Sequence, residues 1–99
     1  MRLKMDDNID ITKDELIEYE KRGAVIIDVR SPQEFREGHL DGAICIPEYN
    51  IRRNFEGYGY KKEQLLVLYC STGERSKKAQ IELKQKGYKN VYNLEIDIF

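Results

Sequence analysis

Cys70 stands where the apolar run Leu65-Leu66-Val67-Leu68-Tyr69-Cys70 gives way to a short polar stretch, Ser71-Thr72-Gly73-Glu74-Arg75-Ser76. A helical pattern follows, so the thiol lies where a strand ends and a helix begins. A thiol is a weak nucleophile until it ionises; with an ordinary pKa of about 8.5, only a few per cent is thiolate at neutral pH. A helix N-terminus offers unpaired amides and the positive end of the helix dipole. A downward shift of about 1.5 units, roughly 2 kcal/mol, would leave the sulfur mostly ionised. The loop is short enough for its amides to converge on one point. Gly73 admits a backbone angle that a side chain resists, and Ser71, Thr72 and Ser76 supply hydroxyls. The competing reading is a small residue finishing a buried strand, because free cysteines are mostly buried and inert.

The remaining chemistry-bearing residues are sparse. Two cysteines and a single histidine at scattered positions match no metal-ligand spacing. Cys45 and Cys70 form no CxxC pair, and so low a count suits a reduced, cytoplasmic protein better than a disulfide scaffold. The 17 basic residues nearly cancel 18 acidic ones, leaving a net charge of -1; a nucleic-acid partner would call for a basic surplus or stripe. No apolar segment approaches membrane-spanning length, and "MRLKMDDNID" lacks a signal peptide's apolar stretch. Ninety-nine residues suit one domain, 1–99, with one core.

The elements that would position Cys70 follow from pattern. A short strand, Ile9 to Ile11, leads into a helix capped by Thr12, with Glu15 at capping-box spacing, Leu16, Ile17 and Tyr19 on the inner face and Gly23 as stop. "AVIIDV", Ala24 to Val29, reads as a strand buried on both faces. "SPQEF" starts a second helix, with Ser31 as N-cap, Pro32 in the first turn, Glu34 completing a capping box and Gly38 as stop. "AICIP" is a short strand, Ala43 to Pro47; "EYNIRRNF" a helix; "GYGYKK", Gly57 to Lys62, a loop; "LLVLYC" a second apolar strand. Arg75 to Lys86 reads as a helix with Ala79 and Leu83 one turn apart, Gly87 stops it, and "NVYNL" is a last strand. Alternating apolar strands and helices predict an α/β fold, a mainly parallel five-stranded sheet with helices on both faces. Ligands in such sheets bind where strands end and helices begin.

"CSTGERS" resembles the active-site loop of the rhodanese superfamily, C-x-x-G-x-R-S. "VIIDVRSPQEFREGHLDGAICIP" resembles a second rhodanese signature, D-x-R followed by E-[FY]-x-x-G-H-[IL]-x-G-A-x-x-[IL]-P. "RSKKAQIELKQKGYKNVYNL" is similar to the segment after the loop, with Ala79, Leu83, Gly87, Tyr88, Val91 and Leu94 in place. Three such motifs in order cover the chain roughly from Ile9 to Leu94 and imply a rhodanese-like fold. They also imply a sulfurtransferase of the thiosulfate sulfurtransferase (rhodanese) type. Cys70 would hold a sulfane sulfur as a persulfide and pass it to a thiol or cyanide-type acceptor. Ser71, Thr72, Gly73, Glu74, Arg75 and Ser76 would cradle the outer sulfur, and no cofactor is needed. The implied partners are a small-molecule or protein sulfur donor and a thiol acceptor, with no nucleic acid or membrane; the protein would be a monomer or weak homodimer. Two alternatives are a non-catalytic binding module and a cysteine phosphatase or arsenate-reductase-like enzyme. Degenerate relatives usually lose the cysteine, and the related phosphatases carry one residue more than the four between Cys70 and Arg75.

Several residues carry two readings. Asp28 and Arg30 either flank the active loop or form a pinning network, with Arg30 on Glu34, as buried charges demand partners. His39 is a base or a polar tie between loops. Cys45 is a resolving thiol or a small core residue. Arg75 holds an anion or braces the loop against a carboxylate. Arg52 and Arg53 flank the site mouth or form a solvated face. Ser71 and Thr72 stand where strong thiosulfate users carry basic residues, and Glu74 adds a negative charge. This weakens the case for thiosulfate as donor. The small hydroxyl residues are closer to the loops of mercaptopyruvate-type enzymes, which usually have two domains, and a protein or low-molecular-weight persulfide is an alternative donor. Ile96 and Asp97 replace the family's Gly-Gly turn, and Ile96, Ile98 and Phe99 suggest an exposed apolar edge.

Overall fold

The computed structural model describes residues 10–96. In order these form β1 (Asp10–Thr12), α1 (Lys13–Lys21), β2 (Val25–Asp28), α2 (Pro32–Glu37), β3 (Ile44–Cys45), α3 (Glu48–Asn54) with a 3-10 turn (Phe55–Tyr58), β4 (Leu65–Tyr69), α4 (Glu74–Gln85) and β5 (Asn90–Glu95). The five strands pair in the order β1-β5-β4-β2-β3, every pair parallel.

Both predicted capping boxes form. The Thr12 side chain accepts from Glu15 N while Glu15 Oε1 accepts from Thr12 N at 2.8 Å, and Ser31 and Glu34 repeat the arrangement. These exchanges satisfy amides that a helix start leaves unpaired.

Side-chain alternation along the strands divides the core. Leu66, Leu68 and Cys70 face α3 and α4, in a cluster with Ile27, Ile51, Phe55, Ala79, Leu83 and Val91. Val67 and Tyr69 face α1 and α2, in a second cluster with Ile11, Leu16, Ile26 and Leu94. Leu66, Val67 and Leu68 are fully buried, so β4 is apolar on both faces because helices cover both. Each such side chain contributes about 1.5–3 kcal/mol on burial.

The topology has a switch point. From β2 the chain runs through α2 to β3 on one side, and from β4 through α4 to β5 on the other. The loops leaving the carboxyl ends of these neighbouring strands diverge, which opens the crevice in which α/β sheets bind ligands. Cys70 follows the end of β4, and Val29, Arg30 and Ser31 follow the end of β2.

Several boundaries and contacts differ from the sequence reading. β1 begins at Asp10, and Ile9 lies outside the described residues. The 3-10 turn takes in Gly57 and Tyr58 from the expected loop, and α4 starts one residue early, at Glu74. Ile17 is 57% exposed rather than inward: only Leu16 and Tyr19 of α1 reach the cluster, because a nine-residue helix on a sheet edge presents a narrow stripe. Ile96 is partly buried against the same cluster, not an open edge; Asp97, Ile98 and Phe99 lie outside the described residues. Among the described residues no helix is long and apolar enough to cross a membrane.

Candidate active site

β4 delivers Cys70 to the sheet's carboxyl end, and Ser71–Gly73 turn the chain into α4. Gly73 makes that turn at φ +90°, a left-handed angle that favours glycine, and is the N-cap of α4 without a capping side chain. The turn aims the Gly73 amide back at the thiol: Gly73 N donates to Cys70 Sγ at 3.1 Å, and Ser76 N donates at 3.4 Å. Ser76 Oγ lies 3.4 Å from the same sulfur. Thus the first turn of α4, which a side chain usually caps, is capped by the cysteine sulfur.

These donors set the sulfur's acidity. Burial pushes the Cys70 thiol up, but the Ser76 hydroxyl and the amides of Ser76, Gly73 and Thr72 more than offset it, so the net shift is downward. Burial and polar stabilisation of the sulfur therefore coexist at Cys70. The sulfur is 1% exposed and belongs to the core, yet its polar surroundings favour the thiolate. For Cys45, by contrast, burial pushes the thiol up, and its sulfur donates to Arg30 O at 3.7 Å.

The six loop residues do different things. Gly73 and Ser76 reach the sulfur directly. Thr72 and Glu74 are exposed and line a cleft of about 630 Å³ with Asp10, Gly73, Lys77, Asn93, Glu95 and Ile96. Arg75 turns away and pairs bidentately with Glu34 of α2, at 2.8 and 3.1 Å, and its Nη2 donates to Ser71 Oγ at 3.4 Å. The guanidinium hydrogen bond, aided by the Ser31 amide and hydroxyl against the cost of burial, holds Glu34 down to about 2. Arg75 is therefore a brace across the crevice. Glu34 serves both as the N3 residue of a capping box and as the anchor of the neighbouring loop.

Asp28 and Arg30 come together on the other face. Arg30 Nη2 lies 2.7 Å from Asp28 Oδ2, and Arg30 N donates to Asp28 Oδ1 at 2.9 Å. Tyr69 Oη donates to Asp28 Oδ2 and accepts from Leu40 N, and Arg30 Nη2 donates to Gly38 O at 2.6 Å. This network pins the 38–40 loop to the sheet. The expected Arg30–Glu34 pair does not form, because Arg30 reaches back to Asp28 two residues earlier, leaving Glu34 to Arg75. His39 stacks on Phe35 with ring centroids 3.6 Å apart and bonds its carbonyl through Nδ1, so it ties one helix end rather than two loops. Arg52 pairs with Glu48 one turn back, and Arg53 is exposed.

Asn93 was not singled out from sequence. It sits in β5, 4% exposed, and its Oδ1 accepts from Ser76 Oγ. The available signal was a polar residue between apolar neighbours in a strand, which when buried requires a partner.

The rhodanese-like domain family matches residues 12–98. Among curated proteins, the tRNA uridine(34) hydroxylase of Sodalis glossinidius is 36% identical over 76 residues, 73% of this chain and 22% of that protein. The Buchnera aphidicola protein of the same name is 31% identical over 80 residues, 77% of this chain and 26% of its own. The chain thus spans about a quarter of the length of these relatives. Among solved structures, a human single-domain sulfurtransferase superposes with a TM-score of 0.77 at 25% identity, covering 90% of both chains. A rhodanese-related protein from Thermoplasma volcanium gives 0.76 at 26% identity, over 88% of this chain and 83% of that one. An E. coli rhodanese solved with anions gives 0.66 at 31% identity, over 72% and 84%. By its strand order, its cysteine loop and this span of matched residues, the chain belongs to the rhodanese-like domain family.

Proposed function

We propose that the chain is a sulfurtransferase that carries a sulfane sulfur as a persulfide on Cys70 and hands it to a thiol or cyanide-type acceptor. The observation that carries this reading is the Cys70 sulfur ringed by the Gly73 and Ser76 amides and the Ser76 hydroxyl, with its thiol shifted down. The likeness to a human single-domain sulfurtransferase supports it.

In loading, the Cys70 thiolate attacks the donor's sulfane sulfur. A bond forms between Sγ and that sulfur, and the donor's bond breaks. Its electron pair leaves on sulfite from thiosulfate, on a thiolate from a persulfide, or on the enolate of pyruvate when the C–S bond of mercaptopyruvate is cleaved. The same amides then face the persulfide, and burial shields it from bulk water. In discharge an acceptor thiolate takes the outer sulfur and Cys70 leaves as a thiolate, which its donors stabilise. The loop is one residue shorter than the phosphatase pattern, so it is sized for a single sulfur rather than a phosphate group.

The charges around the loop favour a donor other than the thiosulfate dianion. Arg75 is paired with Glu34 and Lys77 with Asp10, while the exposed carboxylates of Glu74 and Glu95 line the cleft. A persulfide of low charge avoids that repulsion. Raising ionic strength should therefore speed loading from thiosulfate more than from an uncharged donor.

The test is intact mass after treatment with thiosulfate, mercaptopyruvate or glutathione persulfide. The expected result is a one-sulfur gain that cyanide reverses, present in Cys45→Ser and absent in Cys70→Ser. No gain from any of the three donors would sink the sulfurtransferase reading and turn attention to aryl-phosphate hydrolysis and to partner binding.

A further inference from the structure

The Ser76 hydroxyl has one proton and three acceptors within reach. Its Oγ lies 3.4 Å from Cys70 Sγ and 3.3 Å from Gly73 O, and it donates to Asn93 Oδ1 in a short hydrogen bond. Ser76, Asn93 and Cys70 are 0%, 4% and 1% exposed, so bulk water does not supply a substitute donor. A hydroxyl proton serves one acceptor well at a time. While Sγ carries no charge, as in the thiol or in the persulfide whose charge lies on the outer sulfur, the amide oxygen of Asn93 is the stronger acceptor. Once the sulfur is a thiolate, a charged acceptor draws the proton more strongly.

We propose that Asn93 is a positioning residue that competes with Cys70 for the Ser76 proton, so that the hydroxyl turns from Asn93 to Sγ as charge gathers on the sulfur. This rests on the sulfur-carrier reading. In the discharge step the outer sulfur bonds to the acceptor, the bond between Sγ and the outer sulfur breaks, and the electron pair stays on Sγ. The proton remains on Ser76 throughout and changes only its direction. Asn93 thereby favours the loaded state, in which Sγ carries no charge, and the swing of Ser76 favours the departing thiolate.

The placement suits the role. Asn93 lies in a strand paired on both sides, opposite Asp10 of β1 and Leu68 of β4, so its backbone is fixed by the ladder. It also lines the cleft shared with Thr72 and Gly73. The charged groups around Cys70 are Arg75 with Glu34 across the crevice, Asp28 with Arg30 from β2, and Asp10, Lys77, Glu74 and Glu95 along the cleft. None is altered in the variants below.

The test is the thiolate absorbance of Cys70 titrated in a Cys45→Ser background, where it is the sole thiol. Asn93→Ala, and Asn93→Leu as a shape-filling control for folding, should lower the apparent pKa of Cys70 by about 0.5–1 unit, giving about three- to tenfold more thiolate below it. Ser76→Ala should raise the pKa, and in that background the Asn93 substitutions should have no further effect. An upward shift in the Asn93 variants, or a shift that survives in Ser76→Ala, overturns the proposal. Sulfane-sulfur loading, read separately by intact mass, reports on the carrier reading itself, so the two failures are distinguishable.

Discussion

At the carboxyl ends of β2 and β4, the two faces of the sheet handle buried polar groups differently. On the α1/α2 face Asp28 and Arg30, 0% and 3% exposed, are full charges whose hydrogen-bonding capacity is taken up by each other, Tyr69 and Gly38. On the α3/α4 face the Cys70 sulfur is as deeply buried, but backbone amides and one hydroxyl attend it. A salt-bridged pair is held in one position by its mutual hydrogen bonds. A sulfur whose direct hydrogen-bond partners are amides and a hydroxyl has its thiolate favoured against the cost of burial. The charged face therefore holds the loops still, and the dipolar face favours charge on the sulfur. Arg75 bridges the crevice between them: its guanidinium hydrogen-bonds Glu34 and acts on the sulfur only through space.

The largest expected effect comes from breaking the charged face. Arg30→Met strands the Asp28 carboxylate without its partner and should cost about 3–5 kcal/mol in denaturant unfolding. The triple variant Asp28→Leu/Arg30→Met/Tyr69→Phe should recover most of that loss, since removing the whole network leaves no orphaned charge. In material that remains folded, the Cys70 titration should be unmoved. A shift in that titration would mean the two faces are not separable.

Gly73→Ala should have a middling effect, and on the dipolar face. A Cβ there meets nothing within 4 Å, so the cost arises from φ +90° and not from a clash. About 1–2 kcal/mol is expected for an L-residue held there. Relaxation of the turn should also swing the Gly73 amide off the sulfur, raising the Cys70 pKa and slowing persulfide loading. A loss of stability with an unchanged thiolate titration would show that this amide contributes little to the sulfur's acidity.

The smallest effect is expected at the bridge. Glu34→Gln weakens the Arg75 pair, and because both partners are about a third exposed, screening limits the loss to about 0.5–1 kcal/mol at neutral pH. Folding lowers the Glu34 carboxyl from its ordinary 4.5 to about 2. Its contribution is therefore complete above about pH 4.5 and is lost as pH falls through 2. Unfolding curves of wild type and variant should draw together over that interval, and a gap that has not narrowed by pH 2 would place the effect elsewhere.

Local signals marked the elements well where one or two residues decide the geometry. Thr12 with Glu15, and Ser31 with Pro32 and Glu34, announce helix starts because a capping side chain and its amide are three residues apart in any context. The apolar runs of β2 and β4 announce a doubly covered sheet. Pairings were less legible. Arg30 and Glu34 are near in sequence and could have met, but Arg30 folds back on Asp28. The partners of Glu34 and Asp28 across the crevice, Arg75 and Tyr69, are each 41 residues away, a distance no local pattern spans. Ile17 followed the helical spacing and still faces solvent, since the sheet edge covers only a narrow stripe of α1.

Sequence by itself determined the alternation of strands and helices, the capped helix starts, the position of Cys70 at a strand-to-helix turn and the glycine that lets the turn close. These depend on interactions within a few residues. Tertiary structure alone decided which face of β4 carries the thiol, which carboxylate claims Arg75, and that Asn93 from β5 meets the hydroxyl beside Cys70. Those outcomes depend on strand order and register, which the packing of the whole core sets at once, and hydrogen-bond partners follow from where that packing brings their atoms.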